Sequence, residues 1–313
     1  MSRRLGVLGT LVRDRVFPPG QDSPLEETWG GIAYSLAAFE VASPRGWGQL
    51  PIVKVGQDVE ELADAFLADL RTVTSTEGVR VVPAPNNRVE LRYRDRRSRT
   101  EILAGGVPGW RWEELRPLAL SCDALYVNFI AGWELDLEGA RALRRDFDAP
   151  LYGDLHSLLL GRTEDGTRVP RPPADWRRWV ECFDYLQVNH EELRMLAGTE
   201  TRDPWELAED LVRGELRAVF VTRGPDGAAW RARRGGIDEG SGSDARGDLP
   251  VPEPVEESDP TGCGDVWGMT CFSAILEGAP LEQAVERAHR TAGANARTTG
   301  AEAFLDVGRG RVR

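Results

Sequence analysis

The sequence predicts an α/β fold with three layers: a mostly parallel central sheet, helices on both of its faces, and a small β-sheet standing apart as a lid. Two patterns carry this expectation. From residue 122 onward, the short apolar runs Ala124–Asn128, Ala149–Asp154, Tyr185–Asn189 and Ala218–Thr222 alternate with amphipathic stretches such as Leu137–Phe147 and Pro204–Leu211. Runs that are apolar throughout read as strands buried on both faces, and their regular alternation with helices marks a parallel sheet covered on each side. Between residues 79 and 104 the pattern changes to period two, in Val79-Arg-Val-Val, Arg88-Val-Glu-Leu-Arg-Tyr and Arg99-Thr-Glu-Ile-Leu. Such alternation belongs to a sheet with one wet face.

Taken in order, Leu5–Val12 reads as a first buried strand, and 13–29 as a polar, proline-containing excursion. Gly30-Gly31 opens a helical pattern over Ile32–Val41. Leu50–Val55 is strand-like, and Val59–Leu70 carries apolar residues at helical spacing. A helix over 189–197 has Asn189 as its cap and Glu192 three positions on, the capping-box spacing. Residues 234–248 form a Gly/Ser/Asp loop. The whole chain, 1–313, reads as one domain, with segments of about 13–29 and 79–104 making the lid. Ligands of such sheets bind at the carboxyl ends of the strands, where Asn128, Asp154, Asn189 and Thr222 fall.

Composition narrows the chemistry. The net charge of −12 argues against nucleic acid or an anionic membrane as partner, and no apolar run is long enough to span a bilayer. The apolar N-terminal stretch runs into Arg13-Asp14-Arg15 without a cleavage signal, so a cytoplasmic protein is expected. Lys54 is the only lysine. A Gly-x-x-x-x-Gly-Lys-Ser/Thr phosphate loop is therefore absent, and the His-Arg-Asp and Asp-Phe-Gly strings of protein kinases are missing as well. The four cysteines are scattered with no Cys-x-x-Cys pair, which points to reduced thiols rather than structural zinc.

The segment that carries chemistry is Asp259-Pro-Thr-Gly-Cys-Gly-Asp265, followed by a long apolar helix. A glycine-rich turn feeding a helix aims backbone N–H groups and the positive end of the helix dipole at one spot, which suits phosphate. A carboxylate there repels phosphate, so Asp265 is better suited to take a proton than to hold the anion. By itself the string also reads as a helix cap and a turn.

This segment resembles the C-terminal signature of the ribokinase-like, PfkB-type carbohydrate kinases, with Cys263 in place of the usual alanine. Other elements resemble that family's in order: Gly9-x-x-x-x-Asp14, Gly30-Gly31, Val55-Gly56-Gln57-Asp58, Asn189-His-Glu-Glu192, Thr222-Arg-Gly224-Pro-Asp-Gly227 and Ala292-Gly-Ala-Asn295. The resemblance implies an ATP-dependent kinase that phosphorylates a hydroxyl of a small sugar or sugar-like substrate. It implies Asp265 as general base and the amides of Gly262, Cys263 and Gly264 as anion hole. It places Thr222, Gly224 and Gly227 under the nucleotide, Asn295 beside adenine, and Asn189 and Glu192 around Mg2+ and its waters. Asp14, Gly30, Gly31 and Tyr34 are the implied substrate residues. A monovalent cation such as K+ near Asp259 and Thr261, and a homodimer through the lid, are found in relatives and left open here. A nucleoside kinase and a catalytically weak sugar or nucleotide sensor are the alternatives. Tyr34 stands where the family has Asn, so recognition of ribose or fructose does not transfer. His156 and His190 are read as incidental. Arg88, Arg92, Arg94, Arg96, Arg97 and Arg99 are read as a solvated edge that resists strand-to-strand association, with a cationic lid over an anionic substrate as the alternative.

Overall fold

The computed structural model describes residues 3–94, 99–198, 203–214, 216–233, 246–252 and 259–311. Elements are numbered in chain order. Nine strands form the main sheet. Across it lie β15 (Arg246–Leu249), β14 (Ala228–Ala232), β13 (Ala218–Thr222), β12 (Tyr185–Asn189), β9 (Leu151–Asp154), β8 (Ala124–Asn128), β1 (Arg3–Leu8), β4 (Trp47–Gly56) and β5 (Val79–Val82). From β13 to β5 every pairing is parallel, while β14 and β15 run antiparallel at one edge. The runs Leu5–Leu8 and Ala124–Asn128 are buried throughout, as strands covered on both faces must be.

Helices cover both faces. One core joins α1 (Ile32–Ala42), α2 (Glu60–Asp69), α8 (Cys263–Leu276), α9 (Leu281–Asn295) and α10 (Ala301–Gly308) to the sheet. The other joins α3 (Trp112–Ala119), α4 (Leu137–Asp146), α5 (Trp176–Val180), α6 (His190–Ala197) and α7 (Pro204–Arg213). Local chemistry sets several starts: Asp136 accepts from Gly139 N at the head of α4, and Asp203 accepts from Trp205 N with Pro204 opening α7. This is the three-layer, ribokinase-like sandwich expected. No described helix is long and apolar enough to cross a membrane.

A four-stranded sheet, ordered β3 (Thr28–Gly31), β2 (Leu11–Phe17), β6 (Arg88–Tyr93) and β7 (Arg99–Ala104), leaves the body at the carboxyl end of β1. A hairpin of β10 (Leu160–Arg162) and β11 (Arg168–Pro170) meets its outer edge, where Leu103 N donates to Gly166 O at 2.9 Å.

The boundaries depart from expectation in three places. The apolar stretch 5–12 is two strands, broken after Leu8, because both halves are buried but in different sheets. Val79–Val82 extends the main sheet by pairing with β4, so within 79–104 only β6 and β7 belong to the small sheet. At this edge the strand does not alternate in exposure: Arg80 and Val81 are both exposed, and Val79 and Val82 are half-buried. Of the loop at 234–248, Arg246–Asp248 is part of β15, and 234–245 lies outside the described residues, as do Arg96 and Arg97.

The chain goes from β1 to β4 and β5 on one side, then crosses to β8, β9, β12 and β13 on the other. The order reverses between β1 and β8. At such a switch point the two outgoing connections part and leave a crevice at the carboxyl ends.

Candidate active site

Asp265 occupies the first turn of α8, and its Oδ1 accepts from Asn128 Nδ2, at the end of β8, at 2.6 Å. Asp265 therefore sits at the switch point. The helix is entered through Gly262 at φ 74°, a left-handed conformation that glycine adopts without strain. Glycine is needed twice over: a Cβ there would lie 2.3 Å from the Tyr34 ring. Among the described residues the N–H groups of Gly262 and Gly264 have no partner, whereas Cys263 N closes a turn on Pro260 O at 3.2 Å. Of the three amides expected to form an anion hole, those of Gly262 and Gly264 stand free at the positive end of the helix dipole, and that of Cys263 is engaged by the turn. Below the loop, Gln187 Nε2 donates to Gly264 O at 3.0 Å and to Asp154 Oδ2 at 3.1 Å, and Tyr152 Oη donates to Gln187 Oε1 at 2.9 Å. Burial raises the Asp265 carboxyl above the usual carboxylate range, while Asn128, His156 and Arg99 pull it back down.

Across the cleft, Asp14 on β2 is 4% exposed. Burial pushes its carboxyl up to about 8; Arg99 opposes this, and Asp265, Glu101 and Asp259 reinforce it. Gly30 makes room for it, since a Cβ at that position would come within 1.8 Å of Asp14 Oδ2. Gly31 starts α1, and Tyr34 lies in its first turn. Tyr34 is only 2% exposed and packs against Gly262, so it props the loop from beneath rather than offering an open stacking face.

The small sheet reaches over this cleft. Tyr93 Oη and Thr261 Oγ1 are 2.9 Å apart, next to the glycine loop, and Arg99 donates to Tyr93 Oη at 2.8 Å. Arg99 also pairs with Glu101 at 2.6 Å. Arg88 pairs with Asp58 at 2.9 Å, and Arg92 pairs with Glu90 at 2.9 Å while covering the Phe17 ring. Of the arginines in the cationic-lid alternative, Arg88, Arg92 and Arg99 are thus already paired, while Arg94 is exposed just past β6.

At the ends of β9 and β12 the expected metal residues form a closed set. Asn189 N and Nδ2 donate to Glu192 Oε2 and Oε1, each at 2.7 Å, and Glu192 N returns a bond to Asn189 Oδ1 at 2.9 Å. His156 Nδ1 lies 2.7 Å from Glu192 Oε1. Burial disfavours charge on His156, but Glu192 outweighs it and holds the imidazolium up to about 9. No three His, Cys, Asp or Glu side chains among the described residues converge to hold an ion. Asp259 Oδ1 accepts from Thr261 N at 2.9 Å.

Of the residues expected under a nucleotide, Thr222 ends β13, and Gly224 faces open space. Gly227 serves strand packing, because a Cβ would lie 2.0 Å from Leu249 O. Asn295 is buried, donating to Thr261 O at 2.9 Å and to Cys263 Sγ at 3.4 Å, so its amide braces the glycine loop.

With this geometry in hand, residues 166–307 match the pfkB family carbohydrate kinase model. The fold of the chain is ribokinase-like. Several solved structures share the fold. A pyrophosphate-dependent kinase in the ribokinase family, complexed with a pyrophosphate analogue and myo-inositol, is 15% identical with a TM-score of 0.74, covering 97% of this chain and 98% of that one. An Escherichia coli ribokinase II candidate with ATP and Mg2+ is 15% identical with a TM-score of 0.73, covering 100% of each. The Burkholderia thailandensis nucleoside kinase with inosine is 18% identical with a TM-score of 0.71, covering 98% of this chain and 99% of that one. No curated protein matches in sequence.

Sequence reasoning placed Asn128 at a ligand-facing strand end without a role, and passed over Gln187, Tyr93 and the pairing of His156. The one available signal was position: Asn128 ends an apolar run at the switch point. Gln187 lies inside a strand, and its partners are residues remote in sequence.

Proposed function

We propose that the chain is an ATP-dependent phosphotransferase that phosphorylates a hydroxyl of a neutral, polyhydroxylated, sugar-like acceptor. The observation that carries this reading is the placement of Asp265. It stands at a helix start beside two free amides, its Oδ1 tied by Asn128, in one cleft with the buried Asp14. Asp265 Oδ2 takes the acceptor's hydroxyl proton while that oxygen forms a bond to the terminal phosphorus of the donor. The bond from that phosphorus to the bridging oxygen breaks, and its electron pair leaves with the donor's remaining phosphates. The Gly262 and Gly264 amides meet charge on the transferred group. Asp14 orients the acceptor, and the small sheet excludes water.

Charge supports a neutral acceptor. Asp14 is a buried carboxyl that keeps its proton up to about 8 and exchanges hydrogen bonds with hydroxyls, and Arg99, the arginine beside it, is already paired with Glu101. Donor phosphate oxygens supply most ligands of Mg2+ in such reactions. Glu192 fits an outer role: Oε1 has two partners and Oε2 one, leaving a lone pair for a metal-bound water. The bound ion would neutralise donor charge. ATP as donor draws support from the E. coli structure; the pyrophosphate-dependent relative of equal likeness makes pyrophosphate the donor to test beside it.

The test is a turnover screen of sugars, cyclitols, nucleosides and phosphosugars with Mg-ATP and Mg-pyrophosphate. Asp265→Asn is expected to lower kcat by about 10²–10⁴-fold while donor binding persists. Near-parental kcat in that variant, or a phosphosugar as best acceptor, overturns the reading.

A further inference from the structure

Asp265 lies at the carboxyl ends of the parallel strands, where ligands of such sheets bind. The opposite end holds a separate hollow. A cavity of about 750 Å³ opens there beside the starts of β1 and β4, the end of α8 and the start of α9, lined by Arg3, Arg45, Trp47, Leu276, Gln283 and Arg287. A smaller one of about 350 Å³ adjoins it, sharing Arg3, Trp47 and Leu276 and adding Arg217. The larger volume is in the range of small-molecule sites.

Its charge runs against that of the chain. The whole protein carries −12, yet four arginines and only two carboxylates, Glu277 and Asp123, line the two cavities. Both carboxylates are engaged: Glu277 accepts from Arg287 at 2.5 Å, and Asp123 Oδ2 accepts from Arg4 N at 2.7 Å. Arg45 is exposed and, among the described residues, makes no ion pair. Gln283 lies in the first turn of α9, which no side chain caps and whose opening N–H groups have no intrahelical partner. The arginines are not needed to close α8, because the backbone does so: Gly278 N donates to Ile275 O at 2.9 Å and Ala279 N to Ala274 O at 3.0 Å, around Gly278 at φ 83°. Trp47 and Leu276, both half-buried, supply an apolar wall.

We propose that this cavity binds a small phosphate monoester, its phosphate held by Arg45, Arg287 and the first turn of α9 and its body set against Trp47 and Leu276. Guanidinium groups and an uncapped helix start are the donors that phosphate recognition uses, arginine giving paired N–H bonds to two oxygens. The site is distinct from the cleft at the carboxyl ends: α8 carries Asp265 in its first turn and reaches the cavity at Leu276, about 15–20 Å along the helix. It does not depend on the kinase reading above.

Calorimetry with AMP and glucose 6-phosphate tests this on the parent, Arg45→Glu, Gln283→Glu and Arg111→Glu, with thermal melting as the folding control. Arg45→Glu and Gln283→Glu are each expected to weaken binding about tenfold or more, because each sets a carboxylate against the phosphate. Gln283→Glu puts that carboxylate in the first turn of a helix, where it favours the dipole. This variant should therefore melt no lower than the parent, and it carries the test if Arg45→Glu does not fold. Arg111→Glu makes the same charge change as Arg45→Glu on an exposed arginine outside the cavity and should leave binding unchanged. AMP bound more tightly than glucose 6-phosphate identifies a nucleotide, and the reverse identifies a sugar phosphate; either supports the site. Failure of both probes to bind overturns the proposal. So does binding with no component that Gln283→Glu weakens, which places the ligand elsewhere, and so does equal loss in Arg111→Glu, which marks an effect of net charge.

Discussion

Asp14→Asn isolates the consequence of burying the proposed acceptor-binding carboxylate. In the folded protein that carboxyl is raised from 3.8 to about 8, with burial as the chief cause and Arg99 as the main opposing influence. Between those values the folded state keeps a proton that the unfolded state has released, so stability falls as pH rises through this window and levels off above it. One proton changes the unfolding free energy by about 1.4 kcal/mol per pH unit. From about pH 5.5 to 7.5 the parent should therefore lose up to ~2–3 kcal/mol that the neutral, isosteric amide does not lose. Asp154, also raised to about 8 by burial, adds a slope of the same sign in both proteins and cancels in the difference. Urea unfolding of parent and variant at several pH values measures this difference directly. It should widen with pH, the variant gaining on the parent. A gap that stays flat would mean that Asp14 is ionised and solvated throughout, and the burial argument would fall. The same variant should lower kcat/KM for the acceptor roughly tenfold while leaving KM for the donor alone.

Other outcomes follow from the same geometry. Asn128→Ala removes the 2.6 Å bond that favours ionised Asp265, so the acid limb of the kcat profile should move to higher pH; an unmoved limb excludes Asn128 as a positioning residue. Gly30→Ala drives a methyl into Asp14 Oδ2, and acceptor kcat/KM should fall more than about tenfold at a stability cost of about 1–3 kcal/mol. Parental acceptor kinetics in that variant would separate Asp14 from the acceptor. Gly262→Ala meets both the positive φ and the Tyr34 ring, and thermal melting should show it as the more destabilising of the two glycine changes.

Much of the architecture was written in local pattern. Continuous apolar runs at 124–128 and 185–189 could only be strands covered on both faces, and period two at 88–104 marked a separate half-wet sheet. The segment 259–265 was legible because its work is done by the backbone: a turn, a left-handed glycine and a helix start need no distant partner. The capping box at Asn189 and Glu192 is equally local, three residues apart.

Tertiary structure decided what depends on contact between remote segments. Burial tells a pattern reader that Leu5–Val12 is extended, but not that its halves join different sheets, since each half buries its side chains equally well. The string Val79-Arg-Val-Val fits an edge strand of either sheet, and only its pairing with β4 settles which. Asn128 meets Asp265 across 137 residues, and Tyr93 meets Thr261 across 168. The reversal of strand order between β1 and β8 brings the first pair together, and the small sheet's stance over the carboxyl ends brings the second. His156 had no local signal, because its meaning lies in the carboxylate 36 residues away that turns its ring. A motif read along the chain shows which groups can do chemistry; the packing of strand ends determines which partners orient and charge them.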